Sequence, residues 1–180
     1  MSKQNVKVMI SEEQVEEKII ELAERFNSLY KGESLHLVGI LKGSVFFLCE
    51  LAKLLTMPVT MDFMSVSSYG DDTKSSGVIK IVKDLDESIT GKDVLVVEDI
   101  VDSGRTLSHL LELLKNRNPN SIKLCTLLDK PERRRVPLNV DYYGFLIPDE
   151  FVVGYGLDYA ETYRNLPDIG VLDPRVYAGE

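Results

Sequence analysis

Three short apolar runs constrain this chain more than any other feature. Leu35-His36-Leu37-Val38-Gly39-Ile40-Leu41, Asp93-Val94-Leu95-Val96-Val97 and residues 121–128 are nearly continuous rather than alternating. A strand with one wet face alternates apolar and polar residues. A continuous run suits a strand covered on both faces, as in a parallel sheet between layers of helix. Between the runs lie segments with helical spacing. Ser11-Glu12-Glu13-Gln14 has the form of a capping box. Behind it Val15, Ile19, Leu22, Ala23, Phe26 and Tyr30 predict an amphipathic helix over residues 12–30. Residues 44–55 read as a second helix, and Leu107, Leu110, Leu111 and Leu114 give a third its apolar face. Further strands are expected at 59–66 and 78–82. This alternation predicts an α/β fold with a mainly parallel open sheet flanked by helices.

A length of 180 residues suits one domain, and such a domain buries enough surface to need no disulfide or metal staple. The expected core covers about 30–145. The last third is richer in Tyr, Pro, Asp and Gly, with strand-like pieces at 142–147 and 151–155. A small hood or flap is expected from 146–180 together with the N-terminal segment. Residues 65–77 are polar, rich in Ser, Asp and Gly, and long for a connection, which is the composition of a lid or a disordered insertion.

The balance of 21 basic against 29 acidic residues gives a net charge of −8. A protein that coats DNA or RNA needs a cationic surface, so a nucleic-acid partner is not expected. A small anionic ligand in a local site is compatible with the same balance. Cys49 and Cys125 sit among apolar neighbours and read as two buried thiols in a reducing compartment. No CxxC or HExxH pattern is present. Residues 1–5 carry no apolar signal core, and no apolar stretch approaches the about 18 residues of a membrane span. The expectation is a cytoplasmic protein with no membrane partner. His36 and His109 read as a strand residue and a helix-surface residue, and Arg133, Arg134 and Arg135 as a solvated loop or at most a subunit contact.

The chemistry concentrates in Val94-Leu95-Val96-Val97-Glu98-Asp99-Ile100-Val101-Asp102-Ser103-Gly104-Arg105-Thr106-Leu107. A buried strand is read as ending in two adjacent carboxylates. A short loop follows with a third carboxylate and small hydroxyl residues, and then a helix begins. In open α/β sheets ligands bind beyond the carboxyl ends of strands. A small-residue turn opening a helix presents backbone N–H groups and a positive dipole end, a cradle for phosphate. Glu98 and Asp99 suit a neighbouring polyol or a magnesium ion on it. Asp102 suits proton transfer, while a helix cap would also account for it. No Walker loop or dinucleotide fingerprint is present.

Residues 96–106 resemble the phosphoribosyl-pyrophosphate (PRPP) signature of type I phosphoribosyltransferases. Leu41-Lys42-Gly43, Ser67-Ser68-Tyr69-Gly70, Leu128-Asp129-Lys130-Pro131 and residues 151–159 (Phe-Val-Val-Gly-Tyr-Gly-Leu-Asp-Tyr) stand in the order seen in the hypoxanthine-guanine phosphoribosyltransferases. The chain is similar to that family, in its bacterial form, from about residue 6 to 176. The resemblance implies transfer of a 5-phosphoribosyl group from PRPP to N9 of hypoxanthine or guanine, giving IMP or GMP and pyrophosphate, with Mg2+. A PRPP- or nucleotide-sensing regulator of the same fold, without catalysis, is the alternative.

The resemblance also assigns roles. Asp102, Ser103, Gly104, Arg105 and Thr106 hold the 5′-phosphate, with Asp102 as general acid/base at purine N7. Glu98 and Asp99 hold ribose hydroxyls, directly or through Mg2+, and Asp158 is a further metal residue. Lys42 and Gly43 form a pyrophosphate turn with a cis peptide at Leu41–Lys42, and Arg164 reaches the same group unless it is a plain surface arginine. Lys130 donates to purine O6, Phe151 stacks on the base, and the Val152 backbone meets its edge. Ser68 and Tyr69 close as a lid. A homodimer or homotetramer is implied.

Overall fold

The computed structural model describes residues 5–68 and 79–177. Its main sheet has six strands in the order β4-β3-β2-β5-β6-β7. These are β2 (Leu35–Ile40), β3 (Val59–Ser68), β4 (Ile79–Lys83), β5 (Asp93–Val101), β6 (Ser121–Asp129) and β7 (Tyr142–Leu146). The β2–β3, β2–β5, β5–β6 and β6–β7 pairs are parallel, and only edge strand β4 runs antiparallel. All six residues of β2 are buried, as are Val94–Val97 of β5. The pleat sends successive side chains to opposite faces. Leu95 and Val97 therefore join one apolar cluster, while Val94 and Val96 join another.

Helices cover both clusters. α1 (Glu12–Leu29) starts at the expected capping box: Gln14 N–H donates to Ser11 Oγ, and Ser11 N–H donates to Gln14 Oε1 at 2.9 Å. It buries Val15, Ile19, Leu22, Ala23 and Phe26, and Tyr30 is its C-cap rather than its last turn. α2 (Val45–Leu54) packs Phe47, Leu48 and Leu51 into the same cluster as Leu95 and Val97. α3 (Arg105–Lys115) covers the other face through Leu107, Leu110, Leu111 and Leu114. A second sheet has three antiparallel strands in the order β1-β9-β8: β1 (Val6–Ile10), β8 (Val152–Val153) and β9 (Ile169–Leu172). Ile10, Val152, Leu157 and Ile169 bury into the α1/α2 cluster, which ties this sheet to the larger one. The short α4 (Pro174–Tyr177) follows β9.

The structure corrects two expectations. β5 does not end at its two carboxylates but runs on to Val101. Its edge toward β6 keeps its register through Ile100↔Leu128 and Val101↔Asp129, whereas pairing with β2 stops at Gly39↔Val97. Glu98 and Asp99 are therefore strand residues. Cys49 is exposed and only Cys125 is buried, because the phase of α2 turns Phe46, Cys49 and Glu50 outward while Phe47, Leu48 and Leu51 face in. The piece at 142–147 belongs to the main sheet as its edge strand β7. His36 is buried with Nδ1 2.7 Å from Thr60 Oγ1, and His109 is exposed on α3. Tyr69 and lid residues 69–77 lie outside the described residues, and of Ser68 only its place at the end of β3 is described. No helix among the described residues is long and apolar enough to cross a membrane.

Candidate active site

The topology makes the site. β2 and β5 are parallel neighbours, but the chain leaves β2 through α2 toward β3 and leaves β5 through α3 toward β6. The two helices lie on opposite faces, so the loops after these strands diverge and leave a crevice at their carboxyl ends. The Leu41–Lys42 peptide in the first loop is cis. Gly43 lies against the Asp99 carboxylate so closely that a Cβ there would fall 1.5 Å from Asp99 Oδ2. Only glycine fits this turn, and its backbone reaches the crevice for that reason.

In the second loop Gly104 takes φ 77° at the N-cap of α3, a left-handed conformation that favours glycine. The first turn of a helix leaves its N–H groups without partners from a preceding turn. A cavity of about 170 Å³ lies over it, lined by Glu98 and all of Asp102, Ser103, Gly104, Arg105 and Thr106. One short stretch of chain thus brings Asp102 to Thr106 together at the start of α3 around one cavity.

A second cavity, of about 530 Å³, shares Ile100 and Asp102 with the first. It brings together Lys130, Phe151, Val152, Asp158 and Asp99. Register explains the juxtaposition. Val101 pairs with Asp129, and the Lys130 N–H continues the ladder by donating to Val101 O at 2.9 Å. Lys130 is 7% exposed, and its ammonium donates to Glu150 O at 2.5 Å. Burial pulls its pKa below the ordinary lysine value of 10.5. Phe151 is 40% exposed and packs beside Tyr177, with ring centroids 5.0 Å apart, and edge-on to Tyr159. Nothing in the local sequence marks Tyr177 as a wall of this cavity.

Arg133 and Arg134 are not a solvated loop, contrary to the sequence expectation. Arg133 Nε lies 2.8 Å from Asp102 Oδ1, an ion pair rather than an aligned hydrogen bond, and Arg133 Nη1 donates to Asp149 Oδ1 at 3.2 Å. Arg134 donates to the Asp102 carbonyl at 2.9 Å and to the Asp129 carboxylate. The Arg135 N–H donates to Ser103 O at 2.9 Å. This run clamps the 102–104 loop against the end of β6. A string of three arginines looks like a solvated surface, and its partners Asp102, Ser103 and Asp149 are distant in sequence, so no local signal exposes the clamp.

The carboxylates of the crevice carry strained electrostatics. Burial and the adjacent Asp99 push the Glu98 carboxyl well above the ordinary carboxylate range. Burial likewise pushes Asp99 up to about 6, partly offset by hydrogen bonds from backbone N–H groups and by the Arg164 guanidinium. Glu98 Oε2 is fully sheltered and has no hydrogen-bond partner among the described residues. Lys42 and Arg164 line neither cavity. Lys42 donates to Glu161 at 2.7 Å, and Arg164 pairs with Asp158 at 2.8 Å and donates to Gly156 O at 2.6 Å. Glu98, Asp99 and Asp158 do not form one metal cluster: no group of three or more His, Cys, Asp or Glu is poised to hold an ion among the described residues.

Comparison with known proteins gives this geometry a lineage. The family model described as "Phosphoribosyl transferase domain" matches residues 9–160, which include the crevice and both cavities' β5–α3 wall. The hypoxanthine-guanine phosphoribosyltransferase of Bacillus subtilis is 54% identical over 171 residues, covering 95% of each chain. The bifunctional protein TilS/HprT of Listeria monocytogenes is 56% identical over 172 residues; the chain spans only 26% of that longer protein. The crystal structure of a hypoxanthine phosphoribosyltransferase from Staphylococcus aureus superposes with a TM-score of 0.94 at 48% identity, covering 97% of this chain and 95% of that one. A Trypanosoma cruzi hypoxanthine phosphoribosyl transferase also gives 0.94, at 44% identity over 99% and 97%. The match runs through both sheets and at this identity carries more than the fold. By sequence and by structure alike, the chain belongs to the phosphoribosyl transferase domain family and, within it, to the hypoxanthine-guanine phosphoribosyltransferases.

Proposed function

We propose that this protein catalyses purine salvage: it transfers the 5-phosphoribosyl group of PRPP to N9 of hypoxanthine or guanine and releases pyrophosphate. The observation that carries the reading is the pair of cavities meeting at Ile100 and Asp102, one a small-anion cradle and the other walled by a buried ammonium and a half-exposed aromatic ring. A phosphorylated sugar in the first and a planar base in the second meet beside the Asp102 carboxylate. The relatives named as transferases support this reading and lend none to a regulator.

Residue roles follow from the arrangement. The backbone and hydroxyls of Asp102, Ser103, Gly104, Arg105 and Thr106 bind the 5′-phosphate, and Glu98 and Asp99 face the ribose. Asp102 exchanges a proton with purine N7 and is oriented by Arg133. Lys130 donates to purine O6. Adenine presents an amino donor at that position, so it meets donor with donor and is disfavoured. Phe151 stacks on the base, and the Val152 backbone faces its edge. Lys42, Gly43 and Arg164 receive pyrophosphate, the guanidinium matching phosphate geometry. The resemblance supports Ser68 and Tyr69 as a lid that excludes water from the reacting centre.

The carboxylates fit Mg2+. Glu98 carries a sheltered, unpartnered oxygen beside Asp99, and both are hard oxygen donors. Mg2+ keeps most of its shell as water and substrate oxygens, so one or two carboxylates suffice. Glu98 and Asp99 would hold such an ion on the ribose side and Asp158 one with the pyrophosphate; when bound it would neutralise charge on the departing pyrophosphate. The small sheet with residues 146–177 forms a hood on a single domain, and a homodimer or homotetramer in the cytoplasm suits the family resemblance.

The test is steady-state formation of IMP and GMP from PRPP with each base, with and without Mg2+. Turnover with both bases that EDTA abolishes is expected, and Asp102→Asn should lower kcat by about 10²–10⁴. Tight nucleotide binding with no turnover would overturn the reading.

A further inference from the structure

Lys42 and Arg164, the two cations proposed for pyrophosphate, share one carboxylate. Glu161 Oε2 accepts from Lys42 Nζ at 2.7 Å, and Glu161 Oε1 lies 3.5 Å from Arg164 Nη2. The Lys42 ammonium holds the Glu161 carboxyl below the ordinary carboxylate range. Arg164 has a second acid in Asp158, at 2.8 Å, whose Oδ2 in turn accepts from the Glu161 N–H at 2.9 Å. Lys42 follows β2 and Glu161 lies between β8 and β9, so tertiary structure alone brings them together.

The backbone presents Glu161 deliberately. Ala160, Glu161 and Tyr163 have φ of 49°, 61° and 74°. Such left-handed conformations are disfavoured for residues with a Cβ and persist where surrounding structure imposes them, often at functional sites. Here Tyr159 and Thr162 impose it through reciprocal N–H···O bonds of 3.1 and 3.0 Å. The turn holds a carboxylate across two cations, much as one phosphate of pyrophosphate would lie.

We infer that Glu161 is an internal counter-anion, which occupies Lys42 and Arg164 in the free enzyme and competes with pyrophosphate for them. The inference rests on the phosphoribosyl-transfer reading and adds a residue that no substrate atom has to touch. Lys42 and Glu161 are 65% and 66% exposed, so their pairing is weak enough for a more highly charged anion to displace. The carboxylate is tethered, so it is always at hand to retake the cations as product leaves. Glu161 thereby sets how tightly pyrophosphate is held.

Glu161→Gln removes the charge and keeps the size. The inhibition constant of pyrophosphate as product should fall about two- to fivefold, with the KM for PRPP falling alongside and the KM for hypoxanthine unchanged. Calorimetric titration of pyrophosphate with Mg2+ into the folded variant should show the same tightening. An unchanged pyrophosphate constant overturns the inference, and so does a raised one, which would make Glu161 an anchor of its loop. If the unsubstituted enzyme forms no IMP from PRPP, the transfer reading fails first. If it turns over normally and only the pyrophosphate constant fails to move in the variant, transfer stands and the competing role falls.

Discussion

Lys130 shows how much one buried cation decides. Its ammonium has lost most of its water and leans on a single carbonyl, Glu150 O, so it gains strongly from a second acceptor such as a purine oxygen. Lys130→Met should lower kcat/KM for hypoxanthine about 10- to 100-fold, the worth of a charge-assisted hydrogen bond, and narrow the preference over adenine, because the clash of donors is gone. The sign of the pH effect follows from burial. The charged form is penalised, so the proton leaves below the ordinary 10.5, and kcat/KM should decline on the alkaline side at a lower pH than a free lysine would give. Lys130→Arg, which does not titrate there, should move that decline upward, as a pH–rate profile with hypoxanthine would report. At this scale, residues 98–106 were legible in the sequence because one contiguous stretch carries both the acids and the small-residue turn. Arg133 and Arg134 were not, because Asp102 and Asp149 become their neighbours only when β5, β6 and β7 align.

Elements were read well where both faces or one clear face are apolar. β2, the start of β5, and α1 with its cap are of that kind. The end of β5 was placed at Glu98 and Asp99, two residues early, because paired acids look like the tip of a strand. They stay in the ladder since β6 still pairs with that edge after β2 has turned away. The turn after β2 carries a sharp prediction. Gly43→Ala places a Cβ 1.5 Å from Asp99 Oδ2, and both the turn and the carboxylate must shift. Overpacking of this kind destabilises by about 1–3 kcal/mol. Thermal melting should show that modest loss, and the KM for PRPP should rise far more than that for hypoxanthine. Equal effects on both substrates would argue against a pyrophosphate turn.

The whole molecule is one sheet with an apolar cluster on each face, and the α1/α2 cluster also carries the small sheet. Phe26 is fully buried there, edge-on to Tyr142 of β7 with centroids 4.9 Å apart. Phe26→Ala should cost about 3–5 kcal/mol and lower Tm by roughly 6–20 °C, with kcat at low temperature nearly intact because the crevice lies elsewhere. The sequence by itself determined the layered α/β plan, since unbroken apolar runs require cover on both faces. It also determined the small-residue turn that opens α3, since that pattern is local to one strand–turn–helix. Only the tertiary structure decided what that turn faces. The switch point between β2 and β5 sets Gly43 against Asp99, the register of β6 brings Lys130 beside Asp102, and the turn at 159–163 carries Glu161 to Lys42. Such contacts join residues far apart in the chain, and their energies depend on burial and distance that no local pattern encodes.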